Sequence, residues 1–310
     1  MKEYLIGAGG WAYFGVPGLN PLVAYSKAFN FVEVNSTFYH IPPLKEVEKW
    51  RRLVPPDFQF AVRAHRTMAK MAKPNWTQDA LGTFNRLKKI CKVLKSSFLH
   101  VQIPASLELT QQWIGEFRSF VSSLDLAKLR LALEIRAVRP SKLPVELLRL
   151  MQDNDIVHCT DVSKGEMPAY DSDVLYTRLF GKGEQNAYQQ TDEELVEMDN
   201  KVSNSNSQKI LMSFHFVRMY KDAARLKVYK QTSKFPKVTR STGLSSLEEV
   251  LSEDTTFPAT RQELMHSQGW KLFDLNEERR AHAGDFLQQL PEKTYSNMDE
   301  VTEDLKSKFA

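Results

Sequence analysis

Between residues 4 and 230, eight short runs, each apolar on at least one face, alternate with segments of helical period, and that repetition admits very few folds. The runs lie at 4–10, 31–38, 58–65, 98–104, 129–136, 156–161, 174–180 and 210–216. Helical spacing falls at 21–29, 44–53, 76–94, 110–124, 144–152, 191–202 and 220–229, and the third run ends in a basic loop. Between the sixth and seventh runs the helix is missing or very short. Strands separated by helices become parallel neighbours, so the expected fold is α/β, a (β/α)8 TIM-type barrel. An open doubly wound sheet is the alternative, but its edge strands should be more polar than any of these runs.

The glycines Gly7, Gly9 and Gly10 after the first run look like the start of a dinucleotide loop. Ala12 to Gly18, with Pro17, cannot open the helix that such a loop needs. The glycines are instead expected to let backbone and Trp11 approach a ligand or a neighbouring strand closely.

Polar residues interrupt the strands in matching phase. Glu33 and Asn35 oppose Val32 and Val34, Arg63 and His65 oppose Val62 and Ala64, and His100 and Gln102 oppose Leu99, Val101 and Ile103. Glu134 and Arg136 oppose Leu133 and Ile135, His158 and Thr160 oppose Val157 and Cys159, Tyr176 and Arg178 oppose Leu175 and Leu179, and Ser213 and His215 oppose Met212 and Phe214. In a barrel the apolar face packs on the helices, so the polar face is expected inside, near the C-terminal strand ends where barrel enzymes work. Such groups either satisfy one another as a buried ion network or build a site.

The chemistry follows from the residue types. Arg63, Arg136 and Arg178 are planar forks suited to phosphate or carboxylate oxygens. Glu33, Glu134 and Asp161 can supply a general acid and base, or bind a divalent metal ion with His65, His158 and His215. Three arginines repel a cation, so an anion pocket with carboxylate chemistry is preferred, and no cofactor is required by any local motif. A net charge of +4 permits an anionic substrate, DNA or RNA among the candidates. Two cysteines, Cys91 and Cys159, supply neither a disulfide framework nor a cysteine zinc site. With a mean hydropathy of −0.42, no segment approaches the roughly 18 apolar residues of a membrane span. The start lacks the pattern of a secretory signal, so no membrane partner and a cytoplasmic location are expected.

The elements G-A-G-G-W, E-V-N-S-T-F-Y, P-P-D-F-Q-F-A-V-R-A, V-Q-I-P, E-I-R, the Asp161 strand end and Y-T-R-L-F-G, over about residues 4 to 230, together resemble those of the YecE-like proteins, domain of unknown function 72. The resemblance implies a TIM barrel, and a kinship of that barrel with divalent-metal endonuclease and sugar-isomerase barrels implies nucleic-acid processing. Carried onto this chain, the family's polar positions are Trp11, Glu33, Asn35, Tyr39, Gln102, Glu134, Arg136, Asp161, Tyr176 and Arg178. This chain departs from the pattern with Arg63 for lysine, Gly9 for serine and Phe180 for histidine, and its eighth strand ends in Phe214-His215-Phe216.

The expected domains are the barrel at 1–230, a basic linker at 231–257 and a small all-α appendage at 258–310. Thr260 to Glu263 is a capping-box pattern, Ser296 to Asp299 resembles another, and 277–290 reads as an amphipathic helix. The segments F-P-A-T-R-Q-E-L and L-P-E-K-T-Y-S-N-M-D-E-V resemble the small helical domain of unknown function 2795. A docking role for a protein partner is expected of it, with Arg261, Lys271, Arg279 and Arg280 as alternative phosphate contacts.

The expected activity is a phosphoester hydrolase, endonuclease-like, acting on nucleic acid or a nucleotide at the barrel mouth. Its alternatives are an isomerase or hydrolase of a small phosphorylated sugar, and an anion-binding scaffold whose tail docks a partner.

Overall fold

β-Branched and aromatic residues fill the apolar runs, and such residues pair readily when both faces of a strand are covered. In the computed structural model, which describes residues 2–69 and 76–309, all eight runs are strands of one parallel sheet. They are β1 (Glu3–Ala8), β2 (Phe31–Val34), β3 (Gln59–Arg63), β4 (Phe98–Ile103), β5 (Arg130–Ile135), β6 (Val157–Cys159), β7 (Val174–Leu179) and β8 (Lys209–Phe214). Neighbours pair in chain order from β1 to β6, and β8 lies between β1 and β7. The ring closes through a parallel bridge between Thr160 and Thr177, where the Arg178 amide donates to the Thr160 carbonyl at 3.0 Å. The chain therefore folds as a TIM-type barrel, without the polar edges an open sheet would need.

The barrel strands belong to a unit of residues 1–180 and 200–215. Its helices are α1 (Pro21–Ala28), α2 (Leu44–Arg52), the single turn α3 (Arg66–Ala69), α4 (Trp76–Leu94), α5 (Gln111–Ser122) and α6 (Val145–Asp153). Beyond Arg66–Ala69, the rest of the expected basic loop lies outside the described residues. After β6 a 3-10 turn, Val162–Lys164, stands where a helix would be, as the short interval requires.

Two strands stop earlier than the alternation suggests. β2 ends at Val34 because the Thr37 hydroxyl donates to the carbonyls of Val34 at 2.8 Å and Arg63 at 2.6 Å, which turns Ser36–Phe38 into a 3-10 helix. β3 ends at Arg63, and His65 leaves the sheet to meet Thr67 Oγ1 at 3.0 Å at the start of α3.

Residues 181–199 and 216–310 form a second unit. It holds residues 192–199 of α7 (Asp192–Ser203), then α8 (Met219–Thr232), α9 (Gly243–Leu251), α10 (Arg261–Gln268), α11 (Gly284–Leu287) and α12 (Met298–Leu305). Two antiparallel ribbons complete it, β9 (Ala259–Thr260) with β12 (Thr294–Tyr295) and β10 (Leu272–Asp274) with β11 (Arg280–His282). Leu247, Val250, Leu264, Phe273, Leu287, Tyr295, Val301 and Leu305 make its core.

The tail thus differs from the expected linker and all-α appendage. The segment 231–257 is tied down: the amides of Val238 and Thr239 donate to Asp274 at 2.9 and 2.8 Å, and α9 forms within it. The expected helix at 277–290 is interrupted because Asn276 Oδ1 accepts from the amides of Glu278 and Arg279, an Asx turn that sends the chain into β11. A boundary at 230 also divides residues that a buried charge relay holds together. Arg225 pairs with Asp222 and Asp192, and Arg280 pairs with Asp192 and Asp274, each at 3.0 Å. The Thr260–Glu263 capping box forms as its pattern requires.

Candidate active site at the barrel mouth

Alternation along the strands builds the interior in layers. Leu5, Phe31, Ala61, Phe98, Ala132, Val157, Val174 and Leu211 form an apolar floor, with Cys159 and Tyr176 in the same cluster. Two residues further along, on five of these strands, lie Glu33, Arg63, His100, Glu134 and Ser213, in the same inward phase as that floor. The sixth strand reverses the expected phase: Val157 and Cys159 point inward, and His158 points away. His158 Nδ1 accepts from the Ala169 amide at 3.0 Å, its ring stacks on Tyr170, and burial pushes its pKa down to about 4. His158 is therefore not a member of the ring, whereas Asp161 keeps the inward phase of Cys159.

At the centre is a chain of charges. Arg178, 1% exposed, donates from Nε to Glu33 Oε2 at 3.0 Å, and its Nη2 lies 3.0 Å from Glu33 Oε1. Its Nη1 donates to Glu134 Oε2. The Tyr176 hydroxyl donates to Glu33 Oε2 at 2.5 Å, while His100 Nε2 meets Glu134 Oε2 at 3.0 Å and Arg136 Nε donates to Glu134 Oε1. Burial acts to raise both carboxyl groups, but Arg178 and the facing histidines outweigh it and hold Glu33 and Glu134 well below the usual range. Both are ionised, and every oxygen of the pair is engaged.

Above this chain sits the rim. Arg63 donates from Nη1 to Asn35 Oδ1 at 3.2 Å and from Nη2 to Gln102 Oε1 at 2.7 Å, with its guanidinium 3.9 Å from the centroid of Phe38. Its hydrogen-bond partners are neutral amides, and its Nε is buried with no acceptor. Burial, reinforced by Arg178, lowers its pKa to about 10, so it stays charged at neutral pH. Arg136 lies over Phe180 at 4.7 Å and is exposed. Three guanidinium groups, Arg63, Arg136 and Arg178, thus face two ionised carboxylates, Glu33 and Glu134, and one positive charge is in excess.

His215 stacks on Phe180, with ring centroids 5.0 Å apart. Its Nδ1 is 3.3 Å from Asn35 Nδ2, and its Nε2 is 2.9 Å from Ser213 Oγ and 3.5 Å from Glu33 Oε1. Since an amide nitrogen only donates, Nδ1 is the acceptor and Nε2 carries the proton. Burial and Arg178 lower its pKa to about 4, leaving it neutral. Gly9 makes room for this pair: a Cβ there would lie 2.2 Å from His215 Nδ1 and 2.5 Å from Asn35 Nδ2.

Among the other expected site residues, Trp11 packs edge-on to Trp50 at 5.2 Å and Tyr39 is 66% exposed. His65 bonds Thr67 and the Tyr39 carbonyl and makes no contact with the charged chain. Asp161 forms a separate group. It accepts from the Ser163 amide and hydroxyl and, at 3.1 Å, from the Phe180 amide, yet burial raises its pKa to about 6. His100, Phe38, Phe180 and Ser213 also belong to the site; the inward phase of His100 and Ser213 was legible, whereas the two phenylalanines carried no polar signal.

Among the described residues no three His, Cys, Asp or Glu side chains come together as a metal-binding set. The carboxylates nearest the centre already hold Arg178, so the donor set does not fit a resident divalent ion. Both cysteines are buried free thiols whose pKa burial pushes up.

Comparison with known proteins agrees with this architecture. The UPF0759 protein YunF of Bacillus subtilis (strain 168) is 45% identical over 47 residues, 15% of this chain and 17% of that protein's length. A DUF72 family protein of Thermotoga maritima MSB8 superposes with a TM-score of 0.57 at 18% identity, covering 75% of this chain and 100% of that one. Another from Enterococcus faecalis V583 does so at 0.54 and 17%, covering 75% and 98%. At these identities the two structures show a shared fold. The profile described as "Protein of unknown function DUF72" matches residues 5–238, about three-quarters of the sequence, and the chain belongs to that family.

Proposed function

We propose that this protein is a phosphoester hydrolase, endonuclease-like, acting on nucleic acid or a nucleotide at the C-terminal mouth of the barrel. The observation that carries the reading is Arg63, a guanidinium held by two neutral amide oxygens above a buried network already in charge balance. An anion at the rim would meet Arg63 and Arg136, each backed by an aromatic ring, in the fork geometry that suits phosphate oxygens. Exposed Tyr39 offers a stacking face for a base.

In this reading Glu33 and Glu134 are positioning residues, since their oxygens hold Arg178, Tyr176, His100 and Arg136 in place. Asp161 is the acid–base candidate because its carboxyl titrates near neutrality. Water attacks phosphorus and gives its proton to Asp161, the P–O ester bond breaks, and the leaving oxygen takes a proton back. The test is incubation of the full chain with single-stranded, duplex and structured DNA and RNA and with nucleotides, with and without divalent cations. Cleavage that falls at least about 100-fold in Arg63→Gln supports the reading. No turnover of any substrate, or an unaffected Arg63→Gln, overturns it.

One observation favours a second reading, anion binding without turnover: the base candidate Asp161 is buried and both of its oxygens already accept hydrogen bonds, Oδ1 from Ser163 and Oδ2 from the Phe180 amide. Ligand-dependent thermal stabilisation without product would select it.

A further inference from the structure

We propose that a second ligand site, for a nucleoside polyphosphate, lies at the opposite end of the barrel wall, in a cavity of about 1000 Å3 between the C-terminal end of α4 and the segment leading into β5. Lys89, Lys92 and Lys95 rise from one wall and Lys128 from the other. All four are exposed, and none has an ion-pair partner among the described residues. Lys88 is the one lysine here with a counter-charge, Asp125 at 2.6 Å.

Helix geometry places Lys88 and Lys92, and likewise Lys89 and Lys92, one turn apart, and Lys95 follows just past the helix end, so like charges crowd this wall with a single carboxylate, Asp125, to relieve them. Lysines in a last helical turn favour the helix dipole, which accounts for part of that wall. It does not account for Lys128, which comes from a different segment and converges on the same hollow. Ligand charge supplies the missing compensation.

The floor defines the rest of the ligand. Cys91 and Leu129 are buried there and Leu126 is half-buried, giving an apolar surface beneath a cationic rim. The volume is at the upper end of the roughly 300–1,000 Å3 range of small-molecule clefts. An apolar floor and a cationic rim suit a molecule with a planar, weakly polar body and several negative charges, which is the chemistry of a nucleotide. A polynucleotide would instead need an extended stripe of charge. Strands β4 and β5 run from this cavity to Gln102 and Glu134, about 15 Å away by strand rise, so the site is separate from the mouth.

Isothermal titration of the full chain with ATP, inorganic triphosphate and adenosine tests this. ATP is expected to bind at least ten-fold more tightly than either fragment. In the Arg63→Gln background, which removes the mouth's own phosphate contact, ATP should still bind, Lys92→Ser with Lys128→Ser should weaken it at least ten-fold, and Lys92→Arg with Lys128→Arg should retain it. Triphosphate binding as tightly as ATP would remove the base subsite and overturn the proposal. So would undiminished ATP binding in the serine variant, or binding lost in Arg63→Gln, which would assign the anion to the mouth.

Discussion

Arg178 grips Glu33 through two nitrogens inside the barrel, Nε 3.0 Å from Oε2 and Nη2 3.0 Å from Oε1, and both side chains are buried. Such a pair is costly to split, because the survivor is left charged and desolvated. Glu33→Gln and Arg178→Met should each lose about 3–5 kcal/mol in urea denaturation. The double variant should lose clearly less than the sum, and strict additivity would contradict the coupling.

Arg63→Gln separates binding from folding. The side chain is half-buried and pairs with neutral amides, so its loss leaves no orphaned carboxylate. Phosphate-ester binding at the mouth should weaken by about 2 kcal/mol, some 30-fold, while the midpoint of denaturation stays within the range of a modest core change.

Acid should act on the fold through two kinds of group with opposite signs. His158 and His215 are held neutral, with pKa values lowered from 6.5 to about 4. Their stabilising contribution is complete above 6.5 and is lost as pH falls through about 4, because the unfolded chain takes up protons first. Asp161 acts in reverse: its pKa is raised from 3.8 to about 6, so its contribution is complete below 3.8 and lost as pH rises through about 6. Stability measured from pH 4 to 7 should rise, since two histidines outweigh one carboxyl, and His158→Gln should flatten the slope. If Asp161 is the base, turnover should climb as pH passes about 6.

Gly9→Ala should displace the His215–Asn35 pair, because the new methyl would lie 2.2 Å from His215 Nδ1. A loss of about 1–3 kcal/mol in stability is expected, with a larger relative loss of mouth binding through the Asn35–Arg63 contact. A neutral outcome would mean that the His215 ring can move without consequence.

Asp274→Asn tests the second unit. Asp274 is fully buried and accepts from Arg280, from the amides of Val238 and Thr239 and from the Thr239 hydroxyl. Turning one oxygen into a donor should cost about 2–4 kcal/mol, read as earlier melting and faster proteolysis between residues 231 and 257. An unchanged digestion pattern would return that segment to the status of a tether.

The alternation of apolar strands and helices was sufficient for the barrel, because period-2 and period-3.6 patterns over eight repeats leave few alternatives. It was also sufficient for most of the ring: Glu33, Arg63, Gln102, Glu134, Tyr176 and Arg178 lie where their phase put them. The pattern failed at His158, because β6 is only three residues long and a one-residue shift inverts every side chain. It failed again at His65 and in the tail, where a histidine–threonine contact and an Asx turn overrode a continuing period.

Residue order by itself therefore determined the barrel, its polar upper layer and the excess of arginine there, since local periodicity and composition carry all three. Tertiary structure decided which charges neutralise one another. Arg178 spends its guanidinium on Glu33 and Glu134, and Arg63 is left to neutral amides. That division depends on distances between strands far apart in sequence, and electrostatic energy in a dry interior changes steeply with such distances.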